Sequence, residues 1–158
     1  MKWVTMWGNA QSTVLPHPAY YAKDVTLRYP IFVPFDGNKI RITLDNFCCN
    51  EDVYINKVAI SVGENLYLTF DGEKDVTIKA HENVKSDEIL FEVKSDEFIV
   101  VSIYLSEFTN LTSGVDVVGP LSGGYYAYGD QVENNKFDFK TFVQRLKKSP
   151  LYCIIIYR

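Results

Sequence analysis

Residues 25–45 read VTLRYPIFVPFDGNKIRITLD, and this stretch decides the fold class. Apolar side chains alternate through residues 25–35 and again through residues 40–44, on either side of Asp36-Gly37. A period of two on both sides of Asp-Gly is a strong short-range hairpin signal. We therefore predict two antiparallel strands joined by a loop at Asp36-Gly37.

The register of the predicted hairpin determines which residues face each other across its two strands. A two-residue loop sets Arg28 opposite Asp45 on the outer face, where they would form a cross-strand ion pair. Pro30 and Pro34 lack a backbone N–H and cannot donate to a strand ladder. We therefore expect the first strand to lie at a sheet edge or to contain a bulge.

Further strand-like runs follow at short intervals, and turn residues such as Asp71-Gly72 separate many of them. These runs are residues 53–62, 66–70, 76–79, 89–93, 98–105, 125–128 and 151–157. Many short strands at this spacing are typical of a β-sandwich or jelly roll. The sequence predicts an all-β fold, a jelly-roll-like antiparallel β-sandwich that forms a single domain over residues 1–158.

One short helix is predicted near the C-terminus. Phe139, Phe142, Val143 and Leu146 recur at i, i+3, i+4 and i+7, which is the spacing of one helix face. Pro150 ends the pattern. We interpret this face as core packing, and a partner-binding helix is the alternative.

Composition excludes several classes of function. Sixteen basic and twenty acidic residues give a net charge of −4, which argues against nucleic acid as a partner. Cys48, Cys49 and Cys153 show neither a disulfide framework nor zinc-ligand spacing, so we expect reduced thiols, no metal and no cofactor. No apolar run has the length of a signal peptide or membrane span, so we expect a cytoplasmic protein without a membrane partner.

The sequence offers little for catalysis. His17 lies between two prolines and His81 lies in a polar run, where surface histidines are the ordinary case. There is no Gly-x-Ser-x-Gly elbow, Walker loop or Gly-x-Gly-x-x-Gly motif. We therefore expect no complete active site in this chain and assign no catalytic residue.

Several short segments are informative as an ordered set. They are WVTMWGNA (3–10), TLR (26–28), GNKIRITLDNF (37–47), LTFDG (68–72), VTI (76–78), SD (86–87), VSIYL (101–105) and YAYGD (126–130). In this order and spacing they resemble the N-terminal β-sandwich of a group of SGNH (GDSL-type) esterases. The resemblance covers about residues 3–130 and implies a sandwich that precedes a flavodoxin-like catalytic domain.

The catalytic residues of that family do not carry over to this chain. The family's nucleophile is the serine of a Gly-Asp-Ser strand, whereas Gly129-Asp130 is followed here by Gln131. The family's Asp-x-x-His block has no counterpart. The resemblance implies a non-catalytic accessory domain of an acyl-ester hydrolase, whose partner is the catalytic domain of the same polypeptide and whose substrate class is acylated carbohydrate.

Six residues are candidates for an interface or a ligand site. They are Trp7, Arg28, Arg41, Asn46, Tyr126 and Asp130. For Arg28 the structural alternative is the ion pair with Asp45, and for Asn46 it is a turn. Two other functions stay open: a free-standing carbohydrate-binding module and a purely structural domain. A coplanar strip of exposed aromatics would favour carbohydrate, and an apolar patch near Arg158 would favour the accessory domain.

Overall fold

The computed structural model describes residues 3–8, 12–13, 20–111, 113–114, 124–134 and 155–157. Within these ranges the fold is all-β with antiparallel pairing, which confirms the predicted fold class. The strands are β1 (Thr5–Trp7), β2 (Ser12–Thr13), β3 (Tyr20–Ala22), β4 (Val25–Phe32), β5 (Gly37–Asp45), β6 (Val53–Ile55), β7 (Lys57–Val62), β8 (Glu64–Tyr67), β9 (Val76–Ile78), β10 (Asn83–Lys85), β11 (Ile89–Val93), β12 (Phe98–Leu105), β13 (Thr109–Leu111), β14 (Ser113–Gly114), β15 (Tyr125–Tyr128) and β16 (Ile155–Tyr157). The predicted helix at residues 139–146 lies outside the described residues.

Two five-stranded sheets form the sandwich. Sheet I has the order β1-β16-β5-β10, and β11 also pairs with β5. Sheet II has the order β15-β4-β12-β7-β8. Three short pairs, β3 with β13, β2 with β14 and β6 with β9, lie outside the two sheets.

The core lies between the sheets and is built from the alternating apolar positions of the long strands. Residues 25, 27, 29 and 31 of β4, residues 40, 42 and 44 of β5, and residues 99, 101, 103 and 105 of β12 are all buried in one cluster. Period-two patterning therefore places one face of each strand in the core, as the sequence predicts. Burial of these apolar side chains is the main favourable contribution to folding.

The predicted hairpin at Asp36-Gly37 is wrong. β4 pairs with β12 and β15, whereas β5 pairs with β16, β10 and β11, so residues 33–36 connect the two sheets. Val33 stays with sheet II, because its N–H donates to the carbonyl of Glu97 at 2.9 Å. The alternation fixed the core face of each strand but did not specify its neighbours.

Two further predictions for this stretch also fail. Arg28 and Asp45 lie in different sheets, so the predicted ion pair between them is wrong. β4 is also no edge strand, because it lies between β15 and β12. Pairing with β15 ends at Arg28, however, so in the described residues Pro30 lies opposite Val100 of β12 alone. This single-sided position accommodates a proline.

The other strand predictions are largely confirmed. Runs 89–93, 98–105 and 125–128 form β11, β12 and β15 with the predicted bounds. Run 53–62 divides at Asn56 into β6 and β7, and Asn56 accepts a hydrogen bond from the Ser106 N–H at 2.7 Å. In run 151–157 only residues 155–157 are described, as β16.

Candidate functional site

A segment that we call the strap, residues 129–134, crosses the outer face of sheet II. Its first residue follows β15 at one edge of the sheet, and the Tyr67 hydroxyl of β8 at the other edge donates to Glu133 at 2.6 Å. Between these edges the partly exposed side chains of Asp130 and Lys57 form an ion pair. Val132, in the middle of the strap, is fully buried. The strap is thus part of the packed fold rather than a free loop.

Arg28 fastens the strap from below. Its side chain is only 7% exposed and its guanidinium donates to the carbonyls of Asn134 at 2.9 Å, Gln131 at 2.8 Å and Val132 at 3.3 Å. The Nε–H donates to the Ser102 hydroxyl at 3.0 Å. Burial lowers the pKa of Arg28 from its ordinary value. A buried arginine used in this way holds the backbone of the strap in place.

Thr26 makes a second tie to the same segment. Its hydroxyl donates to the Gly129 carbonyl at 2.7 Å and accepts from the Gln131 N–H at 2.9 Å, so it closes the turn where the strap begins. Gly129 has a φ of 78°, which favours glycine. Tyr126, in β15, is half-buried and packs against the core. Its ring lies edge-on to that of Tyr128, with the ring centres 5.8 Å apart.

Asn46 is a buried polar junction at the end of β5. Its amide donates to the carbonyls of Glu51 at 2.9 Å, Ile78 at 3.1 Å and Lys79 at 3.2 Å. Its own carbonyl accepts from Cys49 and from His81. The predicted turn is confirmed by the bond from Cys49, but Asn46 does more, because it also joins this turn to the loop after β9.

A third polar junction links two more of the quoted segments. Asp87 accepts from the Thr69 hydroxyl at 2.6 Å and from the Gly72 N–H at 2.9 Å, and these bonds lower the pKa of its carboxyl. Beside it, the Ser86 N–H donates to the Ile42 carbonyl and the Ser86 hydroxyl accepts from the Ile42 N–H at 3.0 Å. Ser86 therefore continues the pairing along β5 between β10 and β11.

Arg41 and Trp7 lie on the sheet I side. Trp7 is half-buried against the core. Arg41 is on the outer face, with its guanidinium carbon 4.8 Å from the centre of the Trp3 ring and Nη1 3.9 Å from Glu88. Lys39 also approaches Glu88, at 3.6 Å. Leu90, which pairs with Lys39 in register, is 77% exposed. We call Trp3, Lys39, Arg41, Glu88 and Leu90 the Arg41 patch.

The six candidate residues do not form one site. Arg28, Tyr126 and Asp130 belong to sheet II and its strap, Trp7 and Arg41 to sheet I, and Asn46 to the end of β5. Sequence reasoning missed Thr26, Ser102 and Asp87 as polar junctions and Leu90 as an exposed apolar residue. Thr26, Ser102 and Asp87 stand in the quoted segments, whereas no sequence signal marks Leu90.

The described histidine and the Cys48 thiol are not placed as catalytic groups usually are. His81 is exposed, and its Nδ1 lies 3.0 Å from the carbonyl of Phe47. Burial, followed by the charge of Asp45, raises the pKa of the Cys48 thiol, which disfavours the nucleophilic thiolate. His17 and Cys153 lie outside the described residues. Among those described, no group of three or more His, Cys, Asp or Glu side chains is arranged to hold a metal ion.

Comparison with family models and with curated proteins does not assign the chain to a family. No family model matches the chain, and no curated protein matches it. The part of the chain that the structure describes contains no helix with the length and apolar character of a membrane span.

Proposed function

We propose that this chain is the non-catalytic N-terminal accessory domain of an SGNH-type acyl-ester hydrolase. The single observation that supports the proposal is how the segments resembling that family bond to one another. Segment 26–28 is tied through Arg28 to Ser102 of segment 101–105, and through Thr26 to Gly129 of segment 126–130. Asn46 is tied to Ile78 of segment 76–78, and Asp87 to Thr69 of segment 68–72.

Such mutual bonding is what a shared fold would preserve. A chance set of short matches has no reason to coincide with the buried polar ties of a sandwich. Leaving a buried donor or acceptor unpaired costs about 1–3 kcal/mol, so residues of this kind constrain the sequence of a fold. The bonds favour the resemblance in fold, and the hydrolase assignment extends it by analogy.

The test is an esterase assay on the natural protein together with its reading frame. We expect the frame to encode a Gly-Asp-Ser strand after residue 158, and the full protein to hydrolyse p-nitrophenyl acetate. A serine-directed phosphonate should abolish this activity, and residues 1–158 alone should stay at the background rate. A stop codon directly after residue 158, or a full protein without phosphonate-sensitive activity, would refute the proposal.

A carbohydrate-binding module is the second candidate, and one observation favours it. The rings of Tyr21 and Phe108 are stacked with centres 5.1 Å apart, although both side chains are more than 60% exposed, at 64% and 63%. Exposed aromatic rings can stack against sugar rings. The pair is stacked rather than coplanar, so each ring has only one open face. Glycan binding that Tyr21→Ala abolishes would support this candidate, and unchanged binding would exclude this pair as the site.

A further inference from the structure

We propose that Asp71-Gly72 is a latent site of isoaspartate formation, and that the carboxylate of Asp87 keeps this site unreacted in the folded chain. Asp-Gly occurs twice in the sequence, at residues 36–37 and 71–72. An aspartate before glycine is prone to this modification because glycine has no side chain to obstruct the attacking backbone nitrogen. The modification is a property of the chain itself and does not depend on the proposed function.

The modification rearranges the chain's own atoms and uses no co-reactant except water. The backbone nitrogen of Gly72 forms a bond to the side-chain carboxyl carbon of Asp71, and the amide proton leaves with the carboxyl hydroxyl as water. Water then opens the resulting five-membered imide at either of its two carbonyls. Opening at the former backbone carbonyl leaves isoaspartate, which adds one carbon to the backbone of the turn.

The turn that contains the site is tight and exposed. Phe70 and Glu73 exchange two backbone hydrogen bonds across it, at 2.8 and 3.1 Å. Asp71 and Gly72, the two residues between them, have left-handed φ values of 52° and 87°, as in a two-residue hairpin turn of type I′. Both residues are exposed to solvent. Water can therefore reach the reacting groups, and burial does not protect them.

The attacking nitrogen is held by a residue distant in the sequence. The Gly72 N–H donates to Asp87 Oδ2 at 2.9 Å, and the Thr69 hydroxyl donates to the same oxygen at 2.6 Å. The Asp87 N–H also donates to the Thr69 carbonyl at 2.8 Å, so the backbone fixes the position of this carboxylate. The Gly72 amide has to leave a charge-assisted hydrogen bond before its nitrogen can attack, and this adds to the barrier of the reaction.

The Asp87 carboxylate restrains the Gly72 amide rather than activating it. The hydrogen bonds from Thr69 and Gly72 lower the pKa of Asp87. Asp87 therefore stays ionised in mildly acidic solution, and it is too weak a base to remove the amide proton. Mild acid is also the condition under which protonated aspartates, the form that is attacked, become available.

The pair Asp36-Gly37 is a control within the same molecule. Asp36 Oδ1 accepts from the Ser95 N–H at 2.9 Å, and Gly37 lies opposite Val93 in the ladder between β5 and β11. At this pair it is the carboxyl group that is held, and neither contact involves Asp87. Loss of the Asp87 carboxylate should therefore change the reaction at Asp71 alone.

The experiment incubates the folded chain of residues 1–158 in mildly acidic buffer and follows isoaspartate at each Asp-Gly by peptide mapping with mass spectrometry. We expect Asp87→Ala to raise the rate at Asp71 about tenfold over wild type, the size expected for loss of one charge-assisted hydrogen bond. The rate at Asp36 should not change. Thr69→Val removes the other bond to Asp87 Oδ2 but leaves the bond from Gly72, so its rate at Asp71 should stay near that of wild type.

Equal rates at Asp71 in wild type and Asp87→Ala would overturn the proposal. Equal acceleration at Asp36 and Asp71 would also overturn it, because it would report a general loosening of the fold. Hydrogen exchange of the Gly72 amide in the unsubstituted chain tests the restraint without any variant. We expect this amide to exchange at least about tenfold more slowly than in an unstructured peptide, and exchange at the peptide rate would contradict the proposal.

Discussion

The outer faces of the two sheets each carry an arginine, and the two arginines have opposite surroundings. Arg28 in sheet II is buried, and backbone carbonyls of the strap accept its hydrogen bonds. The side chain of Arg41 in sheet I is 26% exposed, and its neighbours are the side chains of Trp3 and Glu88. Both arginines would look equally functional in a sequence.

The two environments determine how readily each arginine can exchange its bonding partners. The strap carbonyls that accept from Arg28 cannot exchange this partner for water without opening the structure, so Arg28 is committed to the fold. Exposed side-chain partners exchange readily with water or with another protein, because a surface ion pair contributes only about 0–1 kcal/mol. The comparison therefore predicts that substitutions at the two faces differ in stability, and this can be measured on the chain itself.

The largest expected effect is at Arg28. Arg28→Met keeps the length of the side chain but removes every donor to the strap, and should lower the free energy of unfolding by about 3 kcal/mol or more. Arg41→Met should lower it by less than about 1 kcal/mol. Urea unfolding at neutral pH measures both, provided that the slope with denaturant stays constant. Equal losses at the two positions would show that the strap is not held by Arg28.

A smaller effect on stability should distinguish substitutions of two buried threonines. The Thr26 hydroxyl both donates and accepts, whereas the Thr43 hydroxyl of β5 is buried and has no hydrogen-bond partner among the described residues. Thr26→Val should lower the free energy of unfolding by about 1–2 kcal/mol, because it leaves the Gln131 N–H and the Gly129 carbonyl unpaired. Thr43→Val should be neutral or stabilising, because it removes a buried polar group that gains nothing. Losses of the same size in both variants would contradict this assignment.

A still smaller effect is expected where the strap meets solvent. Lys57 and Asp130 are both partly exposed, so Lys57→Met should change the free energy of unfolding by about 0–1 kcal/mol. Salt screens such pairs, and 1 M NaCl should therefore reduce the difference between wild type and variant. Asp130→Asn serves as the control from the other partner. A salt-independent loss of several kcal/mol would instead place this ion pair among the buried ties.

Much of the fold could be predicted from the sequence because alternation reports burial. The core faces of β4, β5 and β12 follow from their alternating aliphatic residues, and β11, β12 and β15 have the predicted bounds. Pairing is different, since it depends on contacts between residues far apart in the chain. Asp36-Gly37 has the composition of a hairpin loop, yet Val33 bonds to Glu97 and the chain crosses to the other sheet.

The candidate site could be predicted less well, for a related reason. Arg28, Asn46 and Asp130 were recognised as special, but their roles depend on segments more than 30 residues away for most of their bonds. A sequence shows that a polar residue stands in an apolar strand. It does not show whether water, a ligand or the protein's own backbone satisfies that residue. The alternation of Ile89, Phe91 and Val93 places Leu90 on the outer face, but it does not show how exposed Leu90 is there.

The smallest predicted effect tests the far end of the strap through a titration. The hydrogen bond from the Tyr67 hydroxyl to Glu133, reinforced by burial and by the negative charges nearby, raises the pKa of Tyr67 to about 12. A raised tyrosine pKa means that the fold favours the neutral phenol. This tie therefore contributes its full stability below pH 10 and loses it as the pH rises from about 10 through about 12.

Tyrosine ring-carbon NMR resolves the individual titrations and gives a direct comparison with Tyr54, whose hydroxyl donates to Asp75 at 3.1 Å. Glu133→Gln should move the pKa of Tyr67 back toward 10 and leave that of Tyr54 unchanged. Asp75→Asn should lower the pKa of Tyr54 alone, because that bond is the largest cause of its raised value. A wild-type Tyr67 that titrates near 10 would mean that the strap ends before β8, leaving this edge of sheet II open in solution.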